Sequence, residues 1–477
     1  MNRASRSYDF LWLSLTLLPL LLIAVLLPIQ PHDYWWYLRL GRDILTSGAV
    51  PAVDAYSSTR AGQPLVYQSW ASAVTFHLVY QFGGIPLTFL LLAALIGSTY
   101  ALLWVLVRRC GAGPRLAALL TLLAGLAGGN NWSARPQLFA YPLFLLALWL
   151  LFKWQDREHK FLWLLVPLGL LWANLHGSFP LLFILLGAAA VFGNGDRKRL
   201  LAVAAGTIAV TLINPRGMAL WGSIVDTFLA PGIRDLSPEW LPPMNQGWGM
   251  NLFFAWLILL IPLASFSRRF VTAFEWLTFL VFLWFSLSGL RYMIWGIFLL
   301  AVMSTRLIPE HVMQLFDRPL ETRFPEGNYG LGLVLLLLPL TVMPGVRERW
   351  WQGAPPALDP HTPVDAVAWL ADHPELPGMM WNDVVFGSYL IHALPERPVW
   401  IDTRIQVIYT PEQAERYLMV QSARPGWEDL LEQQGVNLLV LAHTQPALVE
   451  AVKGSDRWCM KYQDDAALIF SRCEPLP

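Results

Sequence analysis

Eleven apolar runs separated by short polar segments decide what this chain can fold into. Runs such as 8–29 and 86–107 approach or exceed the roughly 20 residues needed to cross a hydrocarbon core about 30 Å thick. Backbone placed at that depth must satisfy its own hydrogen bonds, which selects helices. Composition agrees: 56% hydrophobic and 14% charged residues, with 24 Trp in 477 positions, leave too much apolar surface for a water-soluble core. Spans are expected near 10–29, 86–107, 115–129, 136–152, 161–175, 179–193, 200–213, 251–266, 271–288, 291–306 and 329–345. The first follows Arg3 and Arg6 as a signal peptide would, yet it ends in PIQPHDYWWY without a small-residue cleavage site and reads as a retained helix.

Net charge is zero, so no global field points to nucleic acid, and the information lies in where each Lys and Arg sits. An odd number of spans puts the two ends on opposite sides. With the N-terminus inside, the cytoplasmic segments hold sixteen Lys and Arg, among them Arg108, Arg109, Arg115, Arg197, Lys198, Arg199, Arg318 and Arg323. The opposite segments before residue 346 hold seven: Arg39, Arg42, Arg60, Arg135, Arg216, Arg234 and Arg291. The positive-inside rule then predicts a multi-pass protein of the cytoplasmic (inner) membrane with its tail outside.

The first outer segment, 30–85, is long for a loop between spans. Its stretch 67–82 (YQSWASAVTFHLVYQF) is apolar but short and interrupted by Gln68, His77 and Gln81, which reads as an interfacial helix. Upstream, DYWWYLRLGRDIL places Tyr34, Leu38, Gly41 and Leu45 on one side, and Trp35, Trp36 and Tyr37 suit the headgroup layer.

Beyond a transmembrane region of 1–345, the Pro-rich stretch 346–361 reads as a linker and 362–477 as an extracytoplasmic domain. Short apolar runs alternate there with helical stretches (GMMW, DVVFGSYLIHAL, PVWIDT, PEQAERYLMVQ, VNLLVLA) and end in a hairpin, WCMKYQ-DD-AALIFS. That order suggests a small α/β domain with a mostly parallel sheet. Cys459 and Cys473 flank the hairpin slightly out of register, which leaves a disulfide and two free thiols both open.

Polar residues gather at the outer span ends: His32 and Asp33; Asn130, Asn131, Arg135 and Gln137; Asn174 and His176; Asn214 and Arg216; Arg291 and Tyr292. Any one of them would serve as an interfacial anchor, but anchoring does not require Arg, Asn, His and Asp together at one face. The set suits group transfer from a lipid phosphate. A guanidinium presents a planar fork of donors to phosphate oxygens, so Arg135, Arg216 and Arg291 are candidates to hold a carrier phosphate, with Asn174, His176, Asn214 and Tyr292 around it. Asp33 is placed to take the proton from an attacking acceptor as general base, and it stands equally where a helix N-cap would. Asp43 and Asp54 are understudies, and His176 beside Gly177 also fits a purely structural hydrogen bond.

In the tail, Asn382, Asp383, Asp402 and Arg404 follow predicted strands, where open α/β sheets often bind ligands; turn formation and a local Asp–Arg pair explain them as well. No pair of His or Cys has zinc spacing, so no tightly bound cofactor or metal is expected, and nothing in the spacing supports a divalent ion.

The arrangement resembles the GT-C superfamily of polyprenyl-phosphate-sugar-dependent glycosyltransferases, which includes the lipid A aminoarabinose transferase and the protein O-mannosyltransferases. An acidic residue soon after span one, two interfacial helices in the first outer loop, eleven spans and an outer tail domain carry that likeness. HDYWWYLRLGRDILTSGAVPAVDAYS, SARPQLF, WANLHGSF, INPRG and NDVVFGSYLIHALPERPVWIDTR are similar to a widespread set of bacterial membrane proteins, over nearly the whole chain. The resemblance implies a GT-C-like α-helical polytopic fold and transfer of a sugar from a polyprenyl-phosphate-linked donor, in contact with membrane lipid, to a glycan, lipid or protein acceptor, with Asp33 in the place of the loop base. Asp33 lies between His32 and Tyr34 where many members have two adjacent acidic residues.

Two further classes stand beside a transferase: a transporter or flippase of lipid-linked sugar, and a non-catalytic envelope assembly protein. Ion-coupled transporters place their sites near the bilayer midplane. These spans keep their middles almost free of charge, with Glu275 near a span end, which favours the enzyme.

Overall fold

The computed structural model describes residues 3–229, 238–316, 325–376 and 378–473; Arg234, Arg318 and Arg323, counted above, lie outside them. Every expected span is helical: Arg3–Leu26, the second part of Trp70–Arg109, Pro114–Gly128, Gln137–Gln155, His159–Leu175, Pro180–Phe192, Arg197–Thr211, Trp248–Phe266, Ala273–Ser288, Leu290–Leu307 and Pro325–Val342. Six of these are long and apolar enough to cross a membrane by themselves. The chain is an α-helical polytopic membrane protein.

Local chemistry sets the helix ends. Pro114 and Pro180 open their helices, where a missing N–H costs nothing. Thr272 and Glu275 form a reciprocal capping box at Ala273–Ser288. The same Glu275 carboxylate accepts from Arg306 Nε at 2.6 Å, so the acid near a span end caps one helix and ties it to another.

The chain divides into two compact units. The first comprises Met1–Leu27, Gly83–Asn214 and Pro238–Pro355 and holds the spans. Its core is aromatic: Phe144 packs edge-on to Phe282 and at a tilt to Trp295, each with centroids 5.0 Å apart, and Trp154, Trp172 and Trp295 are fully buried. Leu259, Ile261, Leu333 and Val334 point outward, as lipid solvation permits.

The second unit comprises Pro28–Phe82, Pro215–Ser237 and Pro356–Pro477, so the first outer loop folds with the tail. The helix that begins at Trp70 breaks at Gly83 and Gly84, where Gly84 takes φ 58°, a value that favours glycine. Residues 70–82 are therefore a helix separate from the span that follows. It packs on Tyr34–Ser47 so closely that a Cβ on Gly41 would lie 2.2 Å from the Ala73 carbonyl oxygen.

The expected headgroup role of Trp35 and Trp36 is corrected here: both are buried in protein. Trp36 joins Leu40, Ile44, Tyr56, Leu65, Tyr67 and Ala73 in one core with the tail, and Trp35 stands edge-on to Tyr389. The apolar face is wider than the heptad-like reading, with Leu45 exposed, because tail and loop helices cover Tyr34–Ser47 from more than one side.

The tail sheet contains β1 (Met380–Asn382), β2 (Leu438–Ala442), β3 (Trp458–Gln463) and β4 (Ala467–Arg472) in the order β1-β2-β4-β3. Only β1 and β2 are parallel; β4 runs antiparallel to β2 and to β3, which corrects the mostly parallel expectation. The reason is PVWIDT. It joins no tail strand and pairs with the outer loop, Val399 N donating to Tyr56 O at 3.0 Å and Ser58 N to Val399 O at 2.8 Å. The closing hairpin forms as expected and is joined by a Cys459–Cys473 disulfide.

Candidate active site

Within the first unit, three loops at span ends converge. Arg135 stands just before Gln137–Gln155, Arg291 lies in the turn Leu290–Tyr292 after Ala273–Ser288, and Glu239 lies in the turn Pro238–Trp240 before Trp248–Phe266.

The Glu239 carboxylate bridges both guanidinium groups, with Arg135 Nη1 at 2.5 Å from one oxygen and Arg291 Nη1 at 3.4 Å from the other. Arg291 also stacks over the Trp240 ring, 4.2 Å from its centroid, and Gln137 donates to the Arg291 carbonyl at 3.2 Å. Around the triad runs a cleft of about 160 Å³ lined by Asn130, Asn131, Ser133, Arg135, Gln137, Glu239, Leu290 and Arg291. Two arginines and a set of amides facing one small cleft have the donor chemistry that suits an oxyanion.

Tyr292, Asn174, His176 and Asn214 belong to the same unit. Tyr292 lies edge-on to Trp240 at 6.0 Å and so backs the Arg291 turn. Asn174 donates to the carbonyls of Leu170 and Ile213, tying two helix ends together, and Asn214 donates to the Thr211 carbonyl. His176 Nδ1 accepts from the Ser178 N–H at 3.1 Å, which leaves its proton on Nε2. Burial and the Arg291 charge push His176 down to about 3, so it is neutral at physiological pH and offers an N–H.

Asp33, Arg216 and the tail residues belong to the second unit. Asp33 occupies the N-cap position of Tyr34–Ser47, but its side chain does not cap the helix. Instead its Oδ1 accepts from Trp36 Nε1 at 3.3 Å and from the Thr403 hydroxyl. Thr403 also shares a 2.7 Å bond with the Ser388 hydroxyl, so a relay of hydroxyls from the tail orients the carboxylate. Asp43 pairs with Arg39 and accepts from Tyr56 Oη at 2.9 Å. Arg216 donates to the Val50 carbonyl at 2.9 Å.

The four tail candidates bond to the protein itself. Asn382 stands in for a strand neighbour, accepting from Trp400 N at 2.8 Å and donating to Ile401 O at 2.8 Å. Asp383 caps Val384–Ala393 through Val385 N at 2.8 Å. Arg404 forks onto Asp402 through Nε and Nη2 and reaches Asp54 at 2.6 Å, while Tyr409 donates to Asp402 at 2.7 Å. Sequence reasoning identified this local Asp–Arg pair but not its third member, Asp54. It missed Glu239 too, which the sequence presents only as one acid among Asp226 and Asp235 in the same outer segment. Among the described residues, no group of three or more His, Cys, Asp or Glu side chains forms a candidate metal site.

The architecture has solved counterparts. The chain is similar to the apo oligosaccharyltransferase of Archaeoglobus fulgidus, with TM-score 0.55 and 13% identity over 90% of this chain and 69% of that one. It is similar to the mycobacterial arabinofuranosyltransferase AftD, with TM-score 0.51 and 15% identity over 96% of this chain and 41% of that one. It is also similar to ArnT from Cupriavidus metallidurans bound to undecaprenyl phosphate, with TM-score 0.50 and 13% identity over 97% of each chain. The fold is GT-C-like. No protein-family model matches the chain, and no curated protein matches it by sequence.

Proposed function

We propose that this chain is a membrane glycosyltransferase, moving a sugar from a polyprenyl phosphate carrier to a glycan, lipid or protein acceptor at the outer face of the cytoplasmic membrane. The observation that carries this reading is the convergence of Arg135 and Arg291 on one cleft, both already oriented toward an anion. In the reaction the bond between the sugar's anomeric carbon and the carrier phosphate oxygen breaks, and a bond to the acceptor oxygen or nitrogen forms. The electron pair leaves with the phosphate, where two guanidinium groups stabilise the developing charge. The acceptor's proton passes to Asp33, whose carboxylate is oriented by Trp36 and Thr403. His176, neutral with an Nε2 donor, suits a sugar hydroxyl or phosphate oxygen.

The solved ArnT holds undecaprenyl phosphate in the same kind of fold, which supports a lipid phosphate as the carrier. The Cys459–Cys473 disulfide supports an oxidising compartment for the tail, and hence the outer face.

Sugar transfer from radiolabelled polyprenyl-phosphate sugars by the purified protein in lipid tests the reading. Transfer by the native chain that collapses in Arg291→Ala and Asp33→Asn is expected. Transfer undiminished in Asp33→Asn removes the base assignment, and translocation of label without transfer replaces the enzyme by a flippase.

A further inference from the structure

We infer that Glu239 is a built-in occupant of the phosphate site, a carboxylate that holds the cleft in a self-capped state and exchanges with the phosphate of a lipid carrier when one binds. This inference rests on the proposed role of Arg135 and Arg291 as phosphate ligands and adds the group that competes with the ligand.

Glu239 makes a bridge, with one oxygen to each guanidinium, as two oxygens of a single phosphate would. It is also the one carboxylate among the cleft-lining residues, the rest being arginines, amides, a hydroxyl and a leucine. A sugar-loaded carrier is a phosphodiester with one negative charge, as a carboxylate has, and the free carrier is a monoester with up to two, so either can replace the carboxylate between the arginines without leaving them less neutralised. The cap also has its own fastening. Trp240 stacks under Arg291, Leu290 N donates to Leu241 O at 2.9 Å, and the Pro238–Trp240 turn is thereby fixed to the Leu290–Tyr292 turn. Glu239 remains nearly a third exposed, so it is accessible to a competing anion.

The cap has a function that a simple ion pair lacks. Two guanidinium groups facing one cleft repel each other and attract any anion at the membrane surface, including the headgroups of bulk phospholipid. A tethered carboxylate neutralises them and must be displaced, which filters out ligands that bind the arginines weakly. A cap closed nine-tenths of the time lowers apparent affinity about tenfold.

The test uses the full chain in nanodiscs with undecaprenyl phosphate as probe, and inorganic phosphate as a second arm. Glu239→Gln keeps the shape of the side chain and removes its charge. It is expected to bind undecaprenyl phosphate about tenfold tighter than the native chain, and the lipid is expected to raise its melting temperature by more than it raises the native one. Glu239→Asp, which keeps the charge but shortens the reach to both arginines, is expected to fall between the two and stands in should the Gln variant fold poorly. Unchanged or weaker lipid binding in both variants overturns the cap. Tightening for inorganic phosphate alone overturns the assignment to a lipid headgroup. Arg291→Ala separates the two levels: if it leaves native lipid binding intact, the phosphate role of the arginines fails, whatever Glu239 does.

Discussion

Arg404 donates from Nη1 to Asp54 Oδ1 at 2.6 Å, and neither side chain is more than 1% exposed. The pair joins residues 350 positions apart, one in the first outer loop and one in the tail. Asp402 and Tyr409 complete a buried network in which the guanidinium is paired with both carboxylates. Removing one member leaves a buried charge with its partner missing, which typically costs about 3–5 kcal/mol. Arg404→Met is therefore expected to unfold the second unit well below the native melting temperature. Thermal denaturation with limited proteolysis of the tail checks this, and a shift of a degree or two would show the network to be dispensable.

Gly41 gives a packing prediction of the opposite kind. A methyl there would collide with the Ala73 carbonyl at 2.2 Å and with the His77 Cβ at 2.6 Å, so Gly41→Ala must push two helices apart. Overpacking of this kind costs about 1–3 kcal/mol. Gly187→Ala, at a helical position with nothing within 4 Å, serves as the comparison and is expected to be neutral. Equal melting temperatures for the two variants would contradict the close approach.

Thr403 offers a way to separate positioning from proton transfer at Asp33. Thr403→Val keeps the shape of the side chain and removes the hydroxyl that donates to the carboxylate. Transfer is expected to fall roughly tenfold with the melting temperature within about a degree, whereas Asp33→Asn is expected to lose about 10²–10⁴-fold. Equal losses in both would assign Asp33 to structure.

His392 makes the second unit sensitive to acid. Burial, with Arg42, His77 and Arg39 nearby, pushes it down to about 4. The folded state thus refuses a proton that the unfolded chain takes near pH 6.5. Its contribution to stability is present above pH 6.5 and is lost as pH falls toward 4, a change on the order of 2 kcal/mol. Denaturation midpoints measured between pH 7 and pH 4.5 should decline in the native chain and decline less in His392→Gln.

Much of this was legible in the sequence because the relevant signals are local. Apolar runs located a helix for every expected span, six of them long and apolar enough to cross a membrane, and the Gln68, His77 and Gln81 interruptions set 67–82 apart from the helix that Gly83 and Gly84 detach. What was illegible depends on partners far along the chain. PVWIDT has the composition of a sheet strand, yet its neighbour is Tyr56–Ser58, more than 340 positions earlier. Trp35 and Trp36 have the amphipathic chemistry of headgroup anchors, and nothing local says that a tail domain covers them. Glu239 becomes conspicuous only when two arginines from other loops are seen on either side of it.

The second unit is assembled from three stretches of chain, the last of which begins at Pro356. During synthesis the ribosome therefore delivers its parts far apart in time. Residues 28–82 emerge with Trp36, Leu40 and Ile44 exposed and wait through most of the chain for Val399, Trp400 and Leu439 to cover them. A chain cut short before the tail leaves that surface bare, and a tail expressed alone lacks the edge to which Val399 bonds and Asp54, the second of the two carboxylates paired with Arg404. Among the described residues, the core that Trp36, Leu40 and Ile44 enter is thus completed only when residues 356–473 arrive.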